Sequence, residues 1–196
     1  MYCFKDITKY YLNKADPNNV IGVFFASCVK KNGKTYYVNK YNRIKIKNHE
    51  LENAYWWISI MGGKIELLPE IGEERNIKMA DYLYYPPKGR KYFLENKEIM
   101  QTSKKPSMNI LYYKIIEGKN QSKVFIIDCT KSKMNKKELL DRLNVVYQSK
   151  YLKDYKKTII LKKGNTIIGI YKEKKTWHPP KKVGGITSFI DIIITL

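Results

Sequence analysis

The chain has 196 residues, enough for one main domain with attachments and short of two full domains. Apolar residues make up 43%, which excludes global disorder, and 38 Lys and Arg against 18 acidic residues give a formal charge of +20. That charge points to polyanionic partners, nucleic acid first, although the Lys-, Asn- and Ile-rich composition of an AT-rich genome produces the same balance.

Residues 1–46 read as a β-rich N-terminal attachment. Val20 to Val29 is rich in β-branched and aromatic residues, Lys31-Asn32-Gly33-Lys34 is a turn, and Thr35 to Val38 returns as the partner of a hairpin. From Asn48 the period changes: Leu51, Ala54, Tyr55 and Ile58 recur at helical spacing, Asn48 is placed to cap the helix, and Gly62-Gly63 ends it. Lys64 to Leu68, Asp81 to Tyr85 and Arg90 to Lys97 follow as strands, the last two joined by a turn at Pro86-Pro87-Lys88-Gly89. A helix is expected over Pro106 to Glu117, with Gly118 past its end. Val124 to Cys129 is a strand apolar on both faces, and Lys136 to Tyr151 is an amphipathic helix through Leu139, Leu143, Val146 and Tyr147. Thr158 to Leu161 and Thr166 to Tyr171 close the pattern as paired strands, before a tail at 176–196.

The order over residues 47–175 is therefore αβββαβαββ, an α/β fold with a mixed β-sheet flanked by helices. The first three strands are linked by loops too short for parallel crossovers and should be antiparallel, whereas the fourth follows a helix and is free to run parallel.

The chemistry concentrates between Asp81 and Lys97. Glu95 and Lys97 are two apart on one strand, so both emerge from one face, with Phe93 expected further back toward the interior. Asp81 opens the neighbouring strand, which can return antiparallel and bring the two carboxylates together. Such a pair repels itself and invites a hard divalent cation such as Mg2+, which binds through one or two carboxylates plus phosphate. Lys97 is then placed to orient or activate a water, or to stabilise charge building on a phosphate. A hairpin with a solvated Glu/Lys edge explains the same spacing without any chemistry.

The order of elements around Glu95-Asn96-Lys97 resembles that of the PD-(D/E)XK nuclease superfamily, whose sheet is restriction-endonuclease-like. Within it, His49-Glu50-Leu51-Glu52-Asn53-Ala54, Gly62 to Glu70, Lys78-Met79-Ala80-Asp81-Tyr82-Leu83 and Gln121 to Asp128 are similar to the C-terminal tRNase domain of contact-dependent growth-inhibition toxins and its relatives on mobile elements. The similarity spans roughly residues 48–173. It implies metal ligation by Asp81 and Glu95, a catalytic Lys97, an acid contributed by Glu50, and a polar accessory residue at Gln121. It further implies a divalent cofactor, a tRNA substrate, and a cognate acidic immunity protein as partner. Asn96 departs from the apolar residue usual between acid and lysine and needs an amide partner if it faces the core. Thr102-Ser103-Lys104-Lys105-Pro106 replaces an expected Gly-containing segment.

His49 reads either as an accessory general base beside Glu50 or as a surface residue at a helix start. His178 reads as packed or exposed, and Glu66 and Glu70 flank the end of the first strand, Glu70 reading either as a loop carboxylate or as an acid approaching the metal. Basic and aromatic residues interleave in Lys34 to Lys47 and Tyr147 to Lys157, suiting phosphate contact and base stacking or, equally, a solvated lysine face over packed tyrosines. Of Trp56-Trp57, one should be core and the other cover a neighbouring element. Three scattered cysteines, with Cys28 and Cys129 expected as small core residues, exclude a disulfide framework. With no signal core and no apolar run long enough to span a bilayer, a cytoplasmic setting is expected, reached in the toxin case by delivery into a target cell. A non-catalytic nucleic-acid-binding protein on the same fold and a DNA endonuclease are the competing functions.

Overall fold

The computed structural model describes residues 2–31, 33–38, 47–69, 79–100, 107–152 and 157–174. The N-terminal part contains β1 (Phe4–Asp6), α1 (Thr8–Leu12), β2 (Val20–Phe25), β3 (Cys28–Lys31) and β4 (Lys34–Tyr37). It is followed by α2 (Asn48–Met61), β5 (Gly63–Leu67), β6 (Tyr82–Tyr85) and β7 (Tyr92–Glu98). The chain continues through α3 (Ile110–Gly118), β8 (Val124–Asp128), α4 (Lys136–Gln148), β9 (Thr158–Lys163) and β10 (Thr166–Glu173). From α2 onward this is the αβββαβαββ order that the periodicity predicts. Pro106 and the segment around it lie outside the described residues, as does the tail at 176–196.

Among the described residues, eight strands form one mixed sheet in the order β1-β10-β9-β8-β7-β6-β5-β2. Short connections keep β5, β6 and β7 antiparallel, while the helical crossovers α3 and α4 make β7, β8 and β9 parallel. The expected N-terminal hairpin is present but differently composed. Val20–Phe25 pairs in parallel with β5, and only Cys28–Lys31 turns back onto β4. The physical reason is length: four residues at Thr35 to Val38 cannot pair a ten-residue strand, so the first half of the run seeks the open edge of the main sheet. β1 does the same at the other edge, on β10. The segment expected as an attachment thus supplies both edge strands.

Strand pleating sorts side chains onto two cores. Ile65, Leu67, Tyr82, Tyr84, Leu94, Ile126 and Ile160 pack under Ala54, Trp57, Ile58 and Met61 of α2. On the opposite face, Phe125, Ile127, Ile159 and Leu161 pack under Leu111 and Ile115 of α3 and Leu139, Leu143 and Val146 of α4. Trp57 is the core tryptophan, and Trp56 donates its indole N–H to the Asn165 carbonyl at 3.1 Å, covering the β9–β10 turn. Cys129 is fully buried and Cys28 partly so.

Two helix starts are set locally. Asn48 does not cap α2. The cap position is Lys47, and Glu50 reaches back to accept its backbone N–H at 3.2 Å. The helix stops because Gly62 and Gly63 adopt φ of 75° and 81°, and a β-carbon on either would lie 2.1–2.2 Å from the carbonyls of Asp16 or Tyr85. In α4, Asn135 and Glu138 exchange hydrogen bonds of 3.0 and 2.8 Å in a capping box. Among the described residues no helix is long and apolar enough to cross a membrane.

Candidate active site

The alternation along β7 places Glu95 and Lys97 on the α3 side of the sheet and Asn96 on the α2 side. Glu95 pairs in register with Phe125 and is 1% exposed. Lys97 lies across it, its Nζ 2.7 Å from Glu95 Oε1. Apart from this ion pair, the two buried carboxylate oxygens lack well-formed hydrogen bonds. Room for Glu95 is made by Gly118 at the end of α3. A β-carbon at that position would come within 3.0 Å of Glu95 Cγ and 2.8 Å of Phe125 Cε1.

Asp81 immediately precedes β6. The register Tyr82↔Leu94, continued outward by one pair, sets Asp81 opposite Glu95. Its Oδ2 accepts the Asn96 backbone N–H at 2.7 Å, and its own carbonyl accepts from Leu68 N at 3.0 Å. Burial raises the Asp81 carboxyl to a pKa of about 6 against the pull of the Asn96 amide, with the charge of Glu50 adding to the rise. Glu95 is pushed up to about 8, first by burial and then by Asp81, with Lys97 and the Asp81 backbone amide opposing. Asp81 thus makes the negative charge of Glu95 more costly, and Glu50 does the same to Asp81, the condition under which a cation gains most by entering.

Glu50 acts on Asp81 through its charge from the first turn of α2. The Tyr82 hydroxyl donates to the Glu50 carbonyl at 2.6 Å, fastening the helix start over the strand next to Asp81. The Glu50 carboxylate accepts from Lys47 Nζ at 3.0 Å, and His49 Nε2 lies 3.9 Å away. His49 therefore neighbours Glu50 and is only partly covered. Gln121 donates to the Met79 carbonyl at 2.8 Å, bracing the segment that leads into Asp81.

Among the described residues no three His, Cys, Asp or Glu side chains converge into a closed cation cage. The donors on offer are two facing carboxylates, one of them buried beneath the Lys97 ion pair. That set fits a small hard cation whose remaining ligands are water and phosphate, and it does not fit a cation bound wholly by protein. Asp81 and Glu95 are the residues that would hold it.

The structure also contains features that spacing alone does not reveal. Asn96 is buried and accepts from Asn53 Nδ2 at 2.9 Å, so the amide facing the core has its partner on α2. Asn53 follows Glu50 by one helical turn, and that i,i+3 relation was the available signal. The role of Gly118 had no signal beyond its place at a helix end.

Phe93 is a correction. It shares the Glu95 face but is 39% exposed, because β7–β8 pairing begins only at Glu95↔Phe125 and leaves it uncovered. Tyr147 lies on the apolar face of α4 as its spacing predicts: it is buried and donates its hydroxyl to the Tyr171 carbonyl at 2.8 Å, the packed alternative for its segment. Glu66 pairs with Lys64 at 2.5 Å and with the Tyr85 hydroxyl at 2.9 Å. Glu70, His178, residues 39–46 and residues 102–106 lie outside the described residues.

A second buried ion pair sits at the carboxyl ends of the parallel strands. Lys162 Nζ is 2.7 Å from Asp128 Oδ2 and 5.2 Å from the centre of the Trp56 ring, and Asp128 also accepts from the Thr130 hydroxyl and N–H. Burial pushes the Asp128 carboxyl up, but Lys162 and Thr130 outweigh it and hold it below the usual range. These groups satisfy one another and leave little unspent for a ligand.

No family model, curated protein or solved structure matches the chain.

Proposed function

We propose that the protein is a metal-dependent nuclease that hydrolyses phosphodiester bonds, with tRNA as its substrate, in the manner of the growth-inhibition toxins that its motif order resembles. The observation that carries this reading is the buried Glu95 carboxylate facing Asp81, with Lys97 2.7 Å from it. A divalent cation held by these two acids would supply Lewis-acid polarisation of the scissile phosphate. Lys97 orients the attacking water or neutralises charge as it builds on the phosphoryl oxygens. The Asn96 backbone N–H fixes the position of Asp81, and the charge of Glu50 makes the ionised form of Asp81 more costly. The formal charge of +20 supports a polyanionic substrate. In the toxin reading the partner is an acidic immunity protein that shields this surface in the producing cell, and the enzyme works in the cytoplasm of the target cell.

Incubation of the purified chain with tRNA and with DNA, in Mg2+ and then in chelator, tests the reading. Cleavage of tRNA that stops in chelator supports it, and cleavage of DNA alone supports an endonuclease on the same site. A second reading, a nucleic-acid-binding protein without activity, is favoured by one observation: Glu95 is 1% exposed beneath the Lys97 ion pair. Retention of tRNA without cleavage under any divalent ion supports that one.

A further inference from the structure

We propose that the pocket between the start of α3 and the end of α4 binds one unstacked base of a single-stranded polynucleotide. The pocket has a volume of about 310 Å³ and is lined by Tyr112, Tyr151, Asn109, Gln148 and Lys150 among others. Each group suits part of a nucleotide. Tyr151 is 70% exposed, a large aromatic face left in water where no core packing requires it. Lys150 Nζ stands 5.5 Å from the centre of that ring, bringing positive charge to the face where a phosphate would pass. Tyr112 supplies a second ring, held edge-on by Tyr113 at 5.5 Å. Asn109 and Gln148 each carry a donor and an acceptor, the combination that reads a base edge. An acidic peptide would use Lys150 and leave the rings and amides idle, so the lining favours a base.

The pocket lies on the same side of the sheet as Glu95, and α3 joins the two. Gly118 at one end of the helix touches Glu95, and Asn109 at the other end lines the pocket. At 1.5 Å per residue the nine steps between them span roughly 14 Å. That is at most about four nucleotides, the count at the 3.4 Å rise of a stacked strand, and fewer where the strand is unstacked. The base held here would thus belong to a nucleotide a few steps from the phosphate at Glu95; this last point, unlike the pocket itself, rests on the nuclease reading.

The test uses full-length protein carrying Glu95→Gln, so that the probe is not consumed, and fluorescently labelled single-stranded RNA and DNA octamers of one sequence. Tyr151→Ala is expected to weaken binding about tenfold, as loss of one base–aromatic stack does, and Tyr151→Phe to preserve it. Equal losses with RNA and DNA assign recognition to the base, and a loss with RNA alone assigns it to an RNA strand. Unchanged affinity of Tyr151→Ala, or no binding of either strand by the parent, overturns the proposal. Wild-type protein that fails to cleave but binds through Tyr151 would sink the nuclease reading and leave the pocket standing. Cleavage with Tyr151-independent binding would do the reverse.

Discussion

Gly118 and Glu95 are in contact across the end of α3, with no space for a methyl group between them. Gly118 has no positive φ to justify a glycine, and in an open helix alanine would be favoured there by about 1 kcal/mol. Gly118→Ala is expected to reverse that sign, because the added carbon meets Phe125 and the Glu95 side chain. Destabilisation of about 1–3 kcal/mol should appear in thermal or urea denaturation, as for other overpacked cores. Nucleic-acid cleavage should fall more than stability does, since Glu95 is the group displaced.

The raised pKa values of Glu95, about 8, and Asp81, about 6, make stability depend on pH in a definite direction. The folded state holds these protons more tightly than the unfolded chain, where a Glu titrates near 4.3. Their contribution is therefore complete below about pH 4 and is lost as pH rises toward 8. Melting temperature measured in chelator should drop over that interval more steeply for the wild type than for Glu95→Gln. Adding Mg2+ at pH 8 should restore the wild type and leave Glu95→Gln unmoved.

Asn53 and Asn96 share one hydrogen bond of 2.9 Å in the core, between the helix that carries Glu50 and the strand that carries Glu95. Removing either amide strands the other, at about 1–3 kcal/mol. Asn53→Ala and Asn96→Ala should each destabilise by that order. The double variant should cost clearly less than the sum, measured as a coupling energy in a double-mutant cycle.

The Asp128–Lys162 pair is expected to be structural. Lys162→Met leaves a buried carboxylate uncompensated, a change of about 3–5 kcal/mol. The low Asp128 pKa means that the wild-type pair stabilises above the usual carboxylate range and loses this contribution as pH falls through the folded value. Adding Asp128→Asn to Lys162→Met should recover much of the loss in denaturant unfolding. Per folded molecule, cleavage should be unaffected.

Periodicity and loop length were enough to read αβββαβαββ and the antiparallel-then-parallel run of β5 to β8, because both rest on local rules. The two-residue spacing likewise put Glu95 and Lys97 on one face. Non-local choices were not legible. Nothing within Val20 to Val29 shows that its first half would pair with β5, since that depends on an open edge contributed far along the chain, from Gly63 onward. Phe93 stands exposed because β8 starts opposite Glu95, a register that no single strand encodes. The partner of Asn96 is a side chain on another element, and the need for Gly118 arises only when α3 is laid against β7.

The most direct test of the central claim is calorimetric titration of Mg2+ or Mn2+ into wild-type protein, Asp81→Asn and Glu95→Gln, each confirmed as folded by circular dichroism. One cation is expected to bind the wild type at pH 8 and none either variant, with tRNA cleavage lost in the same two. Cation binding that survives both substitutions, or tRNA cleavage that persists in chelator, would contradict the claim.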